Sequence, residues 1–200
     1  MPITPDQDLT VVPANFVSRA YANLSGEDLF FYVTQATHEL RVKSFTNSNV
    51  ILLAVNISYV SVIQATGVVH LYFADVNGVV YYAPFTNSNF SAPLNPVHIP
   101  VPSVKTISTC YAPNASPPLY ALLIDDGTVH TVYTSQTPDF AVFKGQLRVF
   151  NNNIDHVHYV TEPVITVHPQ DTINAVVHVR RITGAASQTG FYTCVLPGAQ

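Results

Sequence analysis

The sequence predicts an all-β protein made of four repeats, each of about four antiparallel strands. Residues that suit strands dominate the chain: Val, Ile, Thr, Tyr and Phe are abundant, and only 10% of the 200 residues are charged. Fifteen prolines limit long helices, and no window of a dozen residues has a 3.6-residue hydrophobic period. Short apolar runs instead alternate with turn signals, which is typical of strands.

The predicted strands fall into four consecutive groups. The first group comprises residues 17–23, 29–34, 40–45 and 50–56, and the second comprises 59–64, 68–74, 79–85 and 97–101. The third group comprises 104–110, 119–124, 128–134 and a less regular 140–150, and the fourth comprises 157–161, 164–168, 173–180 and 191–195. The dipeptides Asn77-Gly78 and Asp126-Gly127 predict two-residue type I′ hairpins, because both central residues of that turn need a positive φ.

Internal similarity indicates that the groups are structural repeats. The segment FTNSN at residues 45–49 recurs unchanged at residues 85–89, each time between two apolar runs. A period of 40 to 50 residues with about four strands per unit is typical of β-propeller blades. We therefore expect a single domain over residues 1–200 with repeats at about 14–57, 58–102, 103–152 and 153–197. Residues 9–12 are expected to pair with the last repeat and close the ring. A β-sandwich or jelly roll of the same length is the alternative.

This repeat pattern resembles the small four-bladed propellers of the hemopexin type. The Tyr-rich blades with Asn and Gly in their turns also resemble the propeller lectins of fungi and bacteria. The resemblance covers most of the chain at the level of pattern, and it implies a binding protein with several similar pockets.

Candidate ligand-binding residues come from hairpin tips, aromatic strands and the one basic doublet. Tyrosine joins an apolar ring to a hydroxyl, which suits stacking on a sugar and also suits a buried sheet. Asp and Asn in the tips satisfy turn geometry and are also ordinary ligands for sugar hydroxyls. Arg180 follows a predicted strand at the start of a loop, where it would either bind an anionic ligand or be solvated as part of an ordinary loop. The predicted ligand-binding residues are Asp75, Asn77, Tyr81, Tyr82, Asp125, Tyr133 and Arg180.

The sequence gives weaker signals for a metal site or a catalytic nucleophile than for ligand-binding residues. His156 and His158 are the closest histidine pair, and alternation on a strand would direct both to one face, where imidazoles bind Zn or Cu. An ordinary pair of strand histidines is the favoured interpretation. Cys110 and Cys194 are predicted to be ordinary thiols within strands. No glycine-rich phosphate loop or nucleophile motif occurs, so no cofactor and no catalytic residue is predicted.

These features favour a non-enzymatic binding protein, with a glycan or another small molecule as its ligand. The alternatives are a structural or assembly protein of coat or storage type, and an enzyme that uses His and Tyr as acid and base. The low charge predicts a homo-oligomer whose interfaces cover apolar patches. Eight basic residues without a basic run argue against nucleic acid as a partner, and no apolar stretch is long enough for a membrane helix. The polar N-terminus predicts a cytoplasmic protein, or one secreted without a classical signal peptide.

Overall fold

The chain forms four antiparallel sheets that follow one another along the sequence. The computed structural model describes residues 15–46, 50–65, 67–151, 159–167, 174–183 and 186–198. Within these ranges 15 strands form three sheets of four strands and one of three, and in each sheet consecutive strands are hydrogen-bonded neighbours. The predicted all-β class with four strand repeats is thus confirmed. We call the sheets blades 1 to 4.

The strand bounds define the blades. Blade 1 contains β1 (Phe16–Leu24), β2 (Glu27–Thr34), β3 (Leu40–Ser44) and β4 (Val50–Ala54), and blade 2 contains β5 (Ile57–Ala65), β6 (Val68–Asp75), β7 (Val80–Phe85) and β8 (Val97–His98). Blade 3 contains β9 (Thr106–Ala112), β10 (Leu119–Asp125), β11 (Val129–Ser135) and β12 (Phe143–Asn151), and blade 4 contains β13 (Tyr159–Val167), β14 (Asn174–Thr183) and β15 (Ala186–Val195). The described ranges also include a four-residue 3-10 turn at Asn87–Phe90. No helix in these ranges has the length and apolar character needed to cross a membrane.

Each blade packs face to face on the next, so that three separate cores lie between four blades. Blade 2 illustrates how alternation achieves this. On β6, Leu71 and Phe73 join the core shared with blade 1, whereas Tyr72 and Ala74 join the core shared with blade 3. Because both faces are covered, β6 is apolar at nearly every position rather than at alternate ones. A third core, which includes Leu123 and Ile165, joins blades 3 and 4. A two-sheet sandwich would have one core, whereas the described sheets have a core at each of three boundaries, which is consistent with successive blades of a propeller.

Serine hydroxyls connect the first strand of one blade to the first strand of the next. The Ser18 hydroxyl donates to the Val60 carbonyl oxygen at 3.2 Å and accepts from the Val60 amide at 3.0 Å. The Ser61 hydroxyl accepts from the Thr109 amide at 3.1 Å. The Ser108 hydroxyl accepts from the Ile165 amide at 3.1 Å. We call β1, β5, β9 and β13 the inner strands; each packs along the next in this order.

Ring closure is not tested by the structure. Within the described ranges, β13 does not pack along β1 as the other inner strands pack along their neighbours. Residues 9–12, which were expected to close the ring, lie outside the described residues. Closure by that segment stays a prediction.

Within the described residues, blade 4 has three strands where four were expected. Two short strands were predicted at 157–161 and 164–168, but β13 runs through from Tyr159 to Val167. The pairing of β13 with β14 shifts its register between Thr161 and Val164, around Pro163. A proline has no amide hydrogen to donate, and a sheet tolerates one at such an irregularity. The proline therefore marks a bulge in one strand and not a boundary between two.

The hairpin turns also differ from the expected type. At the tip of β6 and β7, only Gly78 has a positive φ (81°), and the Asp75 amide donates to the Val79 carbonyl oxygen at 3.0 Å. Three residues therefore form this loop rather than two. At the tip of β10 and β11, Gly127 has a φ of 92° and takes the first central position, as in a type II′ turn. Glycine supplies the positive φ in both tips. Gly78 is the third residue of its loop and not the second of two, and Gly127 is the first central residue of its turn and not the second, as a type I′ turn would require.

Candidate functional site

A polar groove opens beside the outer strands of blade 3. Its volume is about 210 Å³. Residues of β11 and β12 form most of its lining, and Pro102, in the segment between β8 and β9, also contributes. We call it the outer groove. Its lining residues are Pro102, Asp126, Val129, Thr131, Tyr133, Gln146 and Arg148.

Strand register places four of these side chains on one surface. Tyr133 on β11 lies directly opposite Gln146 on β12, and Thr131 lies directly opposite Arg148. Directly paired residues project from the same face of a sheet, and so do residues two apart on one strand. Gln146 and Arg148 are exposed, whereas Thr131 and Tyr133 are half-buried. The result is a two-by-two patch of a ring, an amide, a hydroxyl and a guanidinium.

The tip of the β10–β11 hairpin is fixed by its own carboxylates. One oxygen of Asp126 accepts from the amides of Thr128 at 2.8 Å and Val129 at 2.7 Å. Asp125 accepts from the Gly127 amide at 2.7 Å, and its other oxygen lies 3.5 Å from Nε2 of His130. Both acids therefore hold the turn, and Asp126 does so at the edge of the outer groove.

Asp125 is a buried group, which places it away from the groove surface. Burial by itself raises the pKa of its carboxyl, but the nearby His130 imidazole and the hydrogen bond from the Gly127 amide outweigh this effect. Together with the nearby charge of Lys105, they hold the pKa below its ordinary value. The carboxylate is thus ionised at neutral pH and stabilises the hairpin tip.

Tyr133 is held as a fixed, protonated ring. Its ring centroid lies 5.2 Å from that of Phe143 at an angle of 50°. Burial raises the pKa of its hydroxyl, and the negative charge of Asp126 raises it further. Tyr133 therefore offers an apolar ring and a hydroxyl that both donates and accepts. Arg148 forms no ion pair with any described residue, so its guanidinium donors face the groove and solvent.

The other predicted ligand residues in blade 2 serve the hairpin and the cores. Asp75 accepts from the amides of Asn77 at 2.8 Å and Val79 at 2.9 Å, which makes it a turn cap. Asn77 is exposed at the tip. The Tyr81 ring stacks on Phe73 at 5.7 Å and 24°, beside the core between blades 1 and 2. None of the three lines the outer groove.

Tyr82 belongs to a buried aromatic cluster between blades 2 and 3. Its hydroxyl lies 3.0 Å from Nδ1 of His70, and burial raises the pKa of Tyr82 to about 12. His70 also meets the edge of the Tyr120 ring at 5.5 Å. Nε2 of His70 is buried and has no hydrogen-bond partner among the described residues. Burial therefore lowers the pKa of this imidazole.

The lowered pKa of His70 predicts a loss of stability in mild acid. Above pH about 6.5 the imidazole is neutral in both folded and unfolded chains, so His70 adds no pH dependence. Below that pH the unfolded chain binds the proton more readily, and the free energy of unfolding falls until the folded pKa is reached. Replacing His70 by phenylalanine is expected to flatten this part of the profile. Urea unfolding at pH 5 to 8 measures it, and an unchanged slope in the variant would contradict the assignment.

The remaining predicted residues lie in blade 4 or outside the description. Arg180 and Arg181 lie within β14, not at the start of a loop; Arg180 pairs with Thr161 on β13 and Thr189 on β15. His156 and His158 are outside the described residues. In the part of the chain that is described, no three His, Cys, Asp or Glu side chains are grouped to hold a metal ion.

The chemistry of the outer groove is not repeated between blades 1 and 2. A cavity of about 330 Å³ lies there between β4 and residues 89–94. Its described lining contains Leu52, Phe90 and Leu94 and no charged side chain. The sequence pattern predicted several similar pockets, whereas these two cavities differ in kind.

Sequence reasoning selected Tyr133 but missed Thr131, Gln146 and Arg148. The sequence did contain a signal for Gln146 and Arg148. The two polar residues flank Leu147 within 140–150, the segment predicted as a less regular strand. An exposed arginine two residues from an exposed amide on an edge strand becomes informative once the partner strand is known. That partner is β11, which carries Tyr133.

No protein-family model matches the chain, and no curated protein matches its sequence. Solved structures do match. One similar structure is the crystal structure of the intramolecular trans-sialidase from Ruminococcus gnavus in complex with oseltamivir carboxylate, with a TM-score of 0.62 and 8% sequence identity. The match covers 89% of this chain and 43% of that chain, so the present chain spans less than half of the other protein. At this identity the similarity shows the all-β fold alone.

Proposed function

We propose that the protein is a non-enzymatic carbohydrate-binding protein and that its saccharide binds in the outer groove. The observation that carries this proposal is the patch formed by Tyr133, Gln146, Thr131 and Arg148 on paired strands. A sugar presents an apolar ring face and a rim of hydroxyls, and this patch offers a ring for the first and hydrogen-bonding groups for the second. The protein of similar fold is itself a trans-sialidase, which is carbohydrate-active and adds support.

The groups in the groove favour binding over hydrolysis. Most glycosidases need two carboxyl groups on opposite sides of the scissile bond. Asp126 is the one carboxylate among the described lining residues, and one of its oxygens accepts two backbone hydrogen bonds. This side chain is thereby committed to the turn of the hairpin. The groove therefore fits a lectin-like role better than an acid–base mechanism.

Replacing Tyr133 by alanine is expected to weaken saccharide binding by at least about tenfold, because it removes both the ring and the hydroxyl. A glycan array identifies the class of sugar that the wild-type protein binds. Calorimetry with that sugar then gives the affinities of wild type and variant. Arg148→Gln is expected to weaken binding as well, since it removes the guanidinium donors and keeps an amide.

Matched variants on blade 1 control for nonspecific effects. Tyr21→Ala removes a tyrosine that is 57% exposed on β1, and Arg19→Gln removes an exposed arginine of the same strand. Neither lines the groove, so both should bind as wild type does. A blank array with folded protein would refute the proposal. So would equal losses in Tyr133→Ala and Tyr21→Ala.

Self-association is the second candidate role, and exposed apolar residues on blade 1 favour it. Tyr21, Val50 and Leu52 lie on one face of this blade and are 57%, 38% and 48% exposed. An exposed apolar face of this kind is typical of protein interfaces. Sedimentation velocity of the wild type and of Leu52→Glu tests this role. A concentration-dependent oligomer that the variant disrupts would support an assembly function.

A further inference from the structure

A third cavity lies where the inner strands come together. Its volume is about 340 Å³, and none of its lining residues lines the outer groove. We call it the inner cavity. It is lined by residues of three inner strands, among them Ile63 and Gln64 of β5, Thr109, Cys110 and Tyr111 of β9, and Val167 of β13.

Contacts between blades hold the polar groups of this cavity in place. The Gln64 side-chain oxygen accepts from the Asn23 amide of β1 at 3.1 Å, so the fourth inner strand also fixes the site. Thr109 is held by Ser61, whose hydroxyl lies 2.8 Å from the Thr109 hydroxyl. Binding groups that are fixed before a ligand arrives lose little entropy when it binds. The cavity is therefore preorganised by the same contacts that join the blades.

Tyr111 provides a fixed ring at the wall of the cavity. Its ring centroid lies 4.7 Å from that of Tyr120 at an angle of 34°. Tyr111 is half-buried, and its hydroxyl has no hydrogen-bond partner among the described residues. The amide nitrogen of Gln64 is likewise without a partner in the described part of the chain. Half-buried Tyr111 and exposed Gln64 therefore line the same space, and each has a polar group that no described residue engages.

We propose that the inner cavity is a second binding site and that its ligand is a small uncharged saccharide unit. The described lining residues include no charged side chain, so an ionised ligand would find no ion-pair partner among them. A neutral sugar ring would stack on Tyr111 and accept hydrogen bonds from Gln64 and Tyr111. Val62, Ile63 and Val167 would cover its less polar edge. The site does not depend on the outer groove, because the two share no lining residue.

The absence of tryptophan makes a direct test possible. The chain has no Trp, so Tyr111→Trp places the single indole of the protein in the inner cavity. The probes are the methyl glycosides of glucose, galactose and mannose, with methyl glucuronide as the charged counterpart. We expect a saturable change in the emission of Tyr111→Trp with at least one neutral glycoside and none with the glucuronide. Tyr133→Trp reports on the outer groove in the same titrations.

A second measurement uses the unmodified ring. Saturation-transfer NMR on the wild type should detect the same neutral glycoside, and Gln64→Leu should weaken its binding about tenfold by removing the amide donors. Gln146→Leu, which changes an exposed amide of the outer groove, should leave that affinity unchanged. Far-UV circular dichroism confirms that each variant is folded.

The outcomes separate this proposal from the one for the outer groove. A response that Gln64→Leu weakens and Gln146→Leu does not supports the inner site, whatever the outer groove binds. The inner site is refuted if neither the reporter nor wild-type NMR responds through the millimolar range. Equal binding of the glucuronide, or full affinity in Gln64→Leu, also overturns it.

Discussion

Replacing Phe85 by alanine is expected to lower the free energy of unfolding by about 3–5 kcal/mol, the range for deleting a buried aromatic side chain. Phe85 is fully buried in the core between blades 1 and 2. Its ring meets Phe31 of blade 1 at 5.2 Å and 87°, and Phe90 at 5.4 Å and 81°. The variant would leave a cavity that two blades line. Urea denaturation followed by far-UV circular dichroism measures the change.

Phe45 provides a control with the same local sequence. It begins the first copy of FTNSN, directly after β3, whereas Phe85 ends β7 and begins the second copy. Phe45 is only half-buried, and its nearest ring, Phe30, lies 6.5 Å away. Phe45→Ala should therefore cost clearly less than Phe85→Ala. Equal losses would mean that the local segment, and not the core between the blades, sets the stability.

The second large effect is expected at Gly78, where alanine should cost about 2–5 kcal/mol. Two penalties combine there. A side chain at a φ of 81° costs about 1–2 kcal/mol. The added Cβ would also lie 2.6 Å from the carbonyl oxygen and 2.7 Å from the amide nitrogen of Val104, which forces about 1–3 kcal/mol of rearrangement. The Val104 amide donates to the Gly78 carbonyl oxygen at 2.9 Å, so the two backbones have little room to separate.

Gly67→Ala is a control that has the cost of a positive φ without a steric contact of the added Cβ. Its φ is 75°, and a Cβ built there meets no atom within 4 Å. Gly67→Ala should thus lose only about 1–2 kcal/mol. The difference between the two variants in thermal or urea unfolding measures the close approach of the hairpin tip to Val104. If both variants lose the same free energy, that approach contributes nothing.

The fold was predictable from the sequence because each strand carries a local signal. Apolar runs such as β6 and β10 are bounded by turn residues, and the spacing of the runs gave four groups. The structure differs where one residue has two interpretations. Two strands were predicted at 157–161 and 164–168, where the structure has one strand with a bulge around Pro163, and Arg180 was placed at the start of a loop but lies within a long strand. Local sequence does not decide such cases, because the partner strand supplies the hydrogen bonds.

The candidate site was less predictable, because it depends on register and on packing between blades. Tyr133 was selected for its chemistry, but its pairing with Gln146 follows from the alignment of β11 with β12. Asp75 and Asp125 were selected in the same way, and the structure uses their side chains as turn caps. Turn formation and ligand binding favour the same residue types, so composition alone does not separate them.

The serine contacts between inner strands have a consequence for how mutations in different blades affect stability. They span 42, 48 and 57 residues, and each one joins only adjacent blades. Stability in such a chain is approximately the sum of terms for single units and for the boundaries between neighbours. Among the three described boundaries, blade 1 takes part in one, whereas blades 2 and 3 each take part in two. Random mutations in blade 2 or 3 should therefore weaken more of the described packing between blades than mutations in blade 1.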